Sequence, residues 1–327
     1  MHIEIKWRNQ MTTLITGGAG FIGSHLVDHL MSRGEEVRVL DNLSAGSLSN
    51  ISEWPGAKGF EFVKGDLLDV DVISRALRDC DTVYHLAANP EVRSWKATPE
   101  DHFKQNIECT YNLLEAIRKE GRVSTLAFSS TSTVYGEPSE IPTPETYAPM
   151  KPISSYGASK LAAEAMICSY ASMYDFKATV FRMANVVGPR TNHGVVYDFI
   201  DKMRRDKNEL EVLGDGSQSK SYLYVDDCVE GLIAGAEKAK ENVDILNIGS
   251  EDRVNVIDIA KIVIELMGLE DVEVRLTGGV DGGRGWKGDV KLMQLDMSLL
   301  RSYGWEPKYS SAEAVRLTAR SIIEEMP

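Results

Sequence analysis

Positive charge is scarce in this sequence: 36 Lys and Arg stand against 49 Asp and Glu, a net charge of −13 over 327 residues. Such a field argues against nucleic acid or an anionic membrane as partner, and an anionic small molecule must be held by local cations and amides. Cysteine is nearly as sparse. Cys80, Cys109, Cys168 and Cys228 are far apart and form no CxxC, the pattern of free, mostly buried thiols in a reducing cytoplasm. The six histidines show no metal-ligand spacing, and His25 and His29, although four apart on one helix, read as surface residues rather than ligands, so no metal is expected. No apolar run approaches the length of a membrane span, nothing resembles a signal peptide, and there are no repeats or low-complexity stretches.

What the chain does have is glycine in a telling place. Thr12–Thr16 is a β-branched apolar run suited to a buried parallel strand, and Gly17, Gly20 and Gly23 follow it before the helical spacing of Leu26, Val27 and Leu30. Glycines at such a strand exit allow φ > 0, bring backbone amides close to a phosphate and let helix pack on strand. An anion then sits at a helix N-terminus. The next strand, Val37–Leu40, ends at Asp41, where a carboxylate accepts from ribose hydroxyls and repels a 2′-phosphate. The expected cofactor is therefore NAD rather than NADP.

Strand-like and helix-like segments alternate from Met11 to Arg182, the pattern of a parallel sheet covered on both faces. The predicted fold is α/β, a doubly wound parallel sheet over residues 11–183. Residues 184–327 form mainly a smaller substrate-holding lobe with segments returning to the sheet, and residues 1–10 are an extension that precedes the domain. Strands are predicted at Phe60–Lys64, Val83–Leu86, Thr125–Ser129 and Lys177–Arg182, and helices at Pro99–Glu120, Ser154–Tyr174, Val195–Arg205 and Ser310–Glu325. Asp66 closes the third strand within reach of an adenine amino group, and Ala87 and Ala88 let a cofactor lie close to backbone.

Tyr156 and Lys160 lie one turn apart on one helix face. A phenol with a pKa near 10 is a poor base at neutral pH, and lowering it by roughly three units takes about 4 kcal/mol, part of which the Lys160 ammonium is placed to supply. A hydroxyl such as Thr131 at the exit of the fifth strand can orient the substrate oxygen. That trio suits removal of a proton from a secondary alcohol as its hydride leaves for a nicotinamide.

Together TGGAGFIG, DNLSAG, GDL, HLAA, SSTSTVYG, YGASK, GPR and the late YVDD resemble the extended short-chain dehydrogenase/reductase family, in its nucleotide-sugar epimerase and dehydratase branch, from about Met11 to the C-terminus. The resemblance implies a Rossmann domain with a small C-terminal lobe, tightly held NAD, a nucleoside-diphosphate sugar substrate and a homodimer built on the helices of Asn106 and Tyr156. It makes Tyr156 the base, Lys160 its partner, Thr131 the assisting hydroxyl and Asn106 a positioning residue. It implies cofactor contacts from Gly17, Gly20, Phe21, Ile22, Gly23, Asp41, Asn42, Asp66, Leu67, Ala87, Ala88, Asn106 and Ser129 besides Tyr156 and Lys160. Substrate contacts are implied for Arg93, Thr131, Ser132, Tyr156, Asn185, Lys220, Arg284 and Asp289. The family's 4,6-dehydratases carry an Asp-Glu pair after the Thr; here Ser132 and Thr133 stand there, and neither delivers a carboxylic proton. The expected reaction is 4-epimerisation of a UDP-sugar, glucose to galactose; the alternatives are a dehydratase or decarboxylase whose acid comes from elsewhere, such as Glu137 or Glu145, a uronate epimerase, or an NAD-binding regulator without chemistry, and the sequence does not reveal the sugar. One departure is Lys220, where the family usually has Arg: lysine neutralises a phosphate without the bidentate fork.

Overall fold

A computed structural model describes residues 12–93 and 95–325; the expected extension at residues 1–10 lies outside the described residues. Seven strands form the main sheet: β1 (Thr12–Thr16), β2 (Glu36–Asp41), β3 (Phe60–Lys64), β4 (Cys80–His85), β5 (Thr125–Thr131), β6 (Lys177–Met183) and β7 (Val243–Ile248). Their order is β7-β6-β5-β4-β1-β2-β3, and every pairing is parallel. A sheet covered on both faces buries residues of both parities, and β1 does so, with Leu14 and Ile15 in opposite core layers.

One layer packs α1 (Phe21–Ser32) and the helix Val225–Lys238 on Ile15, Val39, Phe181 and Leu246 through Leu26, Leu30, Val229 and Leu232. The other packs α2 (Val70–Leu77), α3 (Cys109–Glu120) and α4 (Ser155–Met173) on Leu14, Val83, Leu126 and Val180 through Ile73, Leu113, Ile117 and Ile167. A third cluster joins the helices Val195–Arg205, Val256–Leu266 and Ser311–Glu325 through Phe199, Met203, Ile259, Val263 and Val315. Short strands at Glu209–Val212 and Glu273–Leu276 pair with each other beside it.

The chain crosses between these parts more than once: β7 leaves the later half and pairs with β6 over its whole length. The helix expected at Pro99–Glu120 is not uniform. It begins at Thr98, whose hydroxyl accepts from the Asp101 amide, passes through a π-type turn at Phe103–Glu108 and continues as α3. Such a wide turn leaves no periodic signature in sequence, and it carries Asn106 into the interior.

Strand order reverses on either side of β1, so the carboxyl ends of β1 and β4 open a crevice between them. Gly17 leads out of β1 with φ 73°, and a Cβ there would meet the Ala87 amide nitrogen at 2.8 Å. At Gly23 a Cβ would stand 2.1 Å from the Gly17 carbonyl oxygen, backbone that cannot give way. Gly23→Ala is expected to displace the start of α1, lower stability by about 1–3 kcal/mol and release NAD. Thermal unfolding and the nicotinamide content of the purified protein measure both effects.

Candidate active site

The crevice widens into a cleft of about 1050 Å³ that runs from Gly17, Asp41 and Asp66 past Tyr156 and Lys160 to Lys220 and Asp289. Its first half is shaped for a dinucleotide. The N-cap of α1 is Gly20, in extended backbone and with no side chain capping the helix, so the first amides of α1 are left for an anion. Asp41 is buried and takes the Ala19 amide at 3.0 Å on one oxygen and the Leu43 amide at 2.7 Å on the other. A carboxylate offers about four lone-pair sites, so two remain for vicinal ribose hydroxyls. Asn42 donates to Asp66 at 2.8 Å, and Asp66 also accepts from the Leu68 amide at 2.9 Å. Phe21, Ile22, Leu67, Ala87, Ala88 and Ser129 line the same wall. The glycine floor, the open helix end and the paired strand-end acids fit NAD.

The reactive groups are positioned by α4. Ser154 caps it by accepting from the Gly157 amide at 3.1 Å, and Tyr156 and Lys160 follow at successive turns. Lys160 is buried, its ammonium donates to the Ser129 carbonyl at 2.7 Å and lies 4.7 Å from the centre of the Phe128 ring. Burial pulls its pKa down to about 7 against the opposing charge of Glu164. Burial pushes the Tyr156 phenol up to about 12, and the Thr131 hydroxyl beside it pulls the other way. Thr131 in turn accepts from the Thr133 amide at 3.2 Å. Asn106 is not at the cleft surface but behind it, where its amide donates to Ser159 at 2.9 Å and Asn89 O at 3.2 Å while accepting from the Asn89 amide at 2.7 Å. It ties the π-type turn to both α4 and the segment after β4.

The cations predicted for the substrate end are already partnered, and while Arg93 and Lys220 line the cleft, Arg284 does not. Arg93 donates to both oxygens of Glu91 at 2.8 and 2.9 Å and to Asp198 at 3.4 Å. Lys220 meets Asp289 at 2.6 Å and faces the Trp286 ring at 5.5 Å. Arg284 pairs with Glu137 at 2.5 Å and with the Asp289 carbonyl at 3.2 Å. Asn185 donates to Ser221 O at 3.3 Å, and Ser132 lies buried on the cleft wall. Sequence reasoning missed Asp198 and Trp286, which meet Arg93 and Lys220 only through tertiary contact and leave no local pattern, and also Glu91, two residues before Arg93. It also missed Glu164 and Arg182, although Glu164 continues the Tyr156 and Lys160 spacing by one more turn.

A fold with an open glycine turn, strand-end acids and a Tyr-Lys-Thr cluster defines an NAD-dependent enzyme acting on a hydroxyl-bearing substrate. Comparison with known proteins places it further. The family model described as the NAD dependent epimerase/dehydratase family matches residues 13–249. The chain is similar to the crystal structure of a UDP-galactose 4-epimerase, with 45% identity, a TM-score of 0.86, and coverage of 97% of this chain and 100% of that one. It is also similar to a UDP-glucuronic acid 4-epimerase from Bacillus cereus solved with UDP-glucuronic acid and NAD, with 30% identity, a TM-score of 0.86 and coverage of 96% and 100%. UDP-glucuronic acid decarboxylase 1 from Arabidopsis thaliana is 32% identical over 94% of this chain and 69% of its own length. The chain belongs to the NAD-dependent epimerase/dehydratase family, within the group of NAD-dependent UDP-sugar epimerases and decarboxylases. The extended short-chain dehydrogenase/reductase resemblance, the Rossmann sheet and the NAD cofactor expected from sequence stand.

Lys160 has a testable cost. Its pKa falls from the ordinary lysine value to about 7 on folding, so the charged form is the one that burial penalises. Below pH 7 the ammonium is charged both folded and unfolded and the penalty is complete; it fades as pH rises toward the unfolded value near 10.4. Lys160→Met is therefore expected to stabilise the NAD-free protein by about 1–3 kcal/mol at pH 6 and by much less at pH 9.5. Thermal melts at the two pH values measure the difference, and equal gains at both would contradict it.

Proposed function

We propose that the protein is a UDP-sugar 4-epimerase that interconverts UDP-glucose and UDP-galactose through a 4-keto sugar. Tyr156 takes the proton from the sugar 4-hydroxyl, Lys160 holds the phenolate by its charge, and Thr131 orients the reacting oxygen. NAD, held in the first half of the cleft, would supply reversible hydride chemistry there, so that the reaction is redox-neutral overall. Asp41, Asn42, Asp66 and the Gly17–Gly23 turn bind it, with residues 11–183 as the NAD-binding domain and 184–327 as mainly the nucleotide-sugar lobe. Lys220 meets the diphosphate and Asp289 the ribose, with Arg284 supporting Asp289 through its carbonyl.

The observation that carries this reading is the absence of a free carboxylic acid beside Tyr156 among the described residues. Ser132 and Thr133 follow Thr131, and the Thr133 hydroxyl lies 3.2 Å from that of Thr131. Glu137 and Glu145, the acids considered for dehydration, do not line the cleft. Glu137 is paired with Arg284, and Glu145 accepts from the Asn247 amide at 3.0 Å. A neutral hexose is favoured over a uronic acid for a related reason: Arg93, the cation following β4, is already shared by Glu91 and Asp198, which would repel a sugar carboxylate.

The protein is further proposed to act in the cytoplasm as a homodimer through the Asn106 and Tyr156 helices. Phe103 and Tyr111 are 55% and 47% exposed eight residues apart on one, and Ala158 and Ala165 stand exposed on the other, a flat apolar face suited to a two-fold partner. Tyr111→Glu is expected to yield a monomer by light scattering, where the unmodified chain gives a dimer.

An NMR time course with UDP-glucose and, separately, UDP-galactose tests the reaction without added reductant. Both are expected to converge on one ratio, with Tyr156→Phe slowing the approach about a thousandfold and Thr131→Val about tenfold. Release of carbon dioxide from UDP-glucuronic acid, or accumulation of a 4-keto-6-deoxy sugar, would overturn the assignment.

A further inference from the structure

The largest fully buried side chain in the molecule is an arginine, Arg182 on β6, and its partner is Glu164 on α4. The pair is 2% and 3% exposed. Arg182 donates to both carboxylate oxygens of Glu164 between 2.8 and 3.2 Å, to the Tyr135 hydroxyl at 3.1 Å and to the Glu145 carbonyl at 3.0 Å. The Ser130 hydroxyl makes a short hydrogen bond to the same carboxylate. Ser130 lies between Ser129, whose carbonyl holds the Lys160 ammonium, and Thr131, the hydroxyl beside Tyr156.

Replacing a buried ion pair by apolar residues of similar volume often costs no stability, so stability alone gives no reason for this one. Its placement gives a different reason. Tyr156, Lys160 and Glu164 occupy successive turns of one helix face, so the negative member of the pair lies one turn from Lys160 and its charge acts on the ammonium, while the positive member lies on β6.

We propose, on the reading of Tyr156 and Lys160 as the proton-transfer pair, that Glu164 is a positioning residue whose anchored carboxylate favours the proton on Lys160 and so shifts the proton loss of the pair toward the Tyr156 phenol. Loss of one proton leaves either phenolate with ammonium or phenol with amine. The two forms have the same net charge and differ in where it sits. Burial by itself favours the second form, and a negative charge one turn below Lys160 and two turns below Tyr156 opposes it, toward the form that can take a proton from a sugar hydroxyl.

The other charged and titratable groups around the pair do not supply this bias. His85 on β4 is held neutral between Thr16 at 2.8 Å and Thr110 at 3.0 Å, with burial pulling its pKa down to about 3. His102 lies with its ring 6.0 Å from that of Tyr156 and is bonded to Ser155 and the Glu91 carbonyl. Arg182 and Tyr135 face Glu164, burial pushes the Cys168 thiol up on the same helix, and the Glu145 carboxylate is turned to the Asn247 amide. Among the described residues, Glu164 is the carboxylate whose charge opposes the loss of the Lys160 proton.

The test is a tyrosinate difference absorbance titration of the NAD-bound protein, each variant measured against its own Tyr156→Phe counterpart. It needs no sugar, so its outcome is separate from the identity of the substrate. Glu164→Gln is expected to lower the tyrosinate signal of Tyr156 at neutral pH about threefold or more. Turnover of UDP-glucose should fall about tenfold, with KM little changed. Because Glu164→Gln leaves Arg182 unpaired in the core at a cost to folding, the double variant Glu164→Gln/Arg182→Met removes both charges together. It is expected to fold, by circular dichroism and retained NAD, and still to lack most of the tyrosinate signal. A signal unchanged in Glu164→Gln, or restored to the original level in the double variant, would overturn the proposal and leave Glu164 a structural partner of Arg182. If tyrosinate behaves as expected while no UDP-sugar turns over, the electrostatic role stands and the epimerase reading fails.

Discussion

Everything reactive in this protein hangs on how α4 is pinned to the middle of the sheet. Lys160 is tied to the Ser129 carbonyl at the end of β5, and Glu164, one turn on, is tied to Arg182 of β6 and Ser130 of β5. Two polar ties a turn apart fix both the rotation and the height of the helix. Apolar packing through Ala163 and Ile167 would by itself tolerate small slips of either kind. The phenol of Tyr156 is thereby set over the cleft beside Thr131. Burying a cation beneath it is expensive, and the protein accepts that expense because a charge in low dielectric acts more strongly on its neighbour than one in water.

The same economy governs the far end of the cleft. Arg93, Lys220 and Arg284 each meet a carboxylate, so a chain with a net charge of −13 presents its binding cations already neutralised. Under the proposed function, a diphosphate entering there would compete with Asp289 for Lys220 instead of finding bare charge. Such pairing holds long side chains in place before ligand arrives and reduces the ordering cost of binding. Lys220 illustrates it: the ammonium is fixed between Asp289 and the Trp286 ring, a point charge held by its surroundings where an arginine would be held by its own fork.

The fold was legible because its signals are local. A β-branched run, three glycines and a helical stripe within Thr12–Leu30 dictate strand, turn and helix from nearest-neighbour sterics, and the period of each later segment identified its kind. Boundaries differ by one to three residues, as at β4, expected from Val83 and beginning at Cys80, and at β5, expected to end at Ser129 and reaching Thr131. The π-type turn at Phe103–Glu108 was invisible, since its extra residue is absorbed by contacts of Asn106 with Asn89 and Ser159 that sequence does not advertise.

The sequence by itself determined the order and kind of the elements, the glycine turn that leaves the first amides of α1 uncapped, and the one-turn spacing of Tyr156, Lys160 and Glu164. These depend on interactions between residues close along the chain. Only the tertiary structure decided what each of those groups meets: that Lys160 points to Ser129, that Glu164 finds Arg182, that Arg93 is claimed by Glu91 and Asp198, and that β7 returns to close the sheet beside β6. The physical reason is that the energy of a charge is set by burial and by its partner, and both are properties of segments brought together only when the sheet forms.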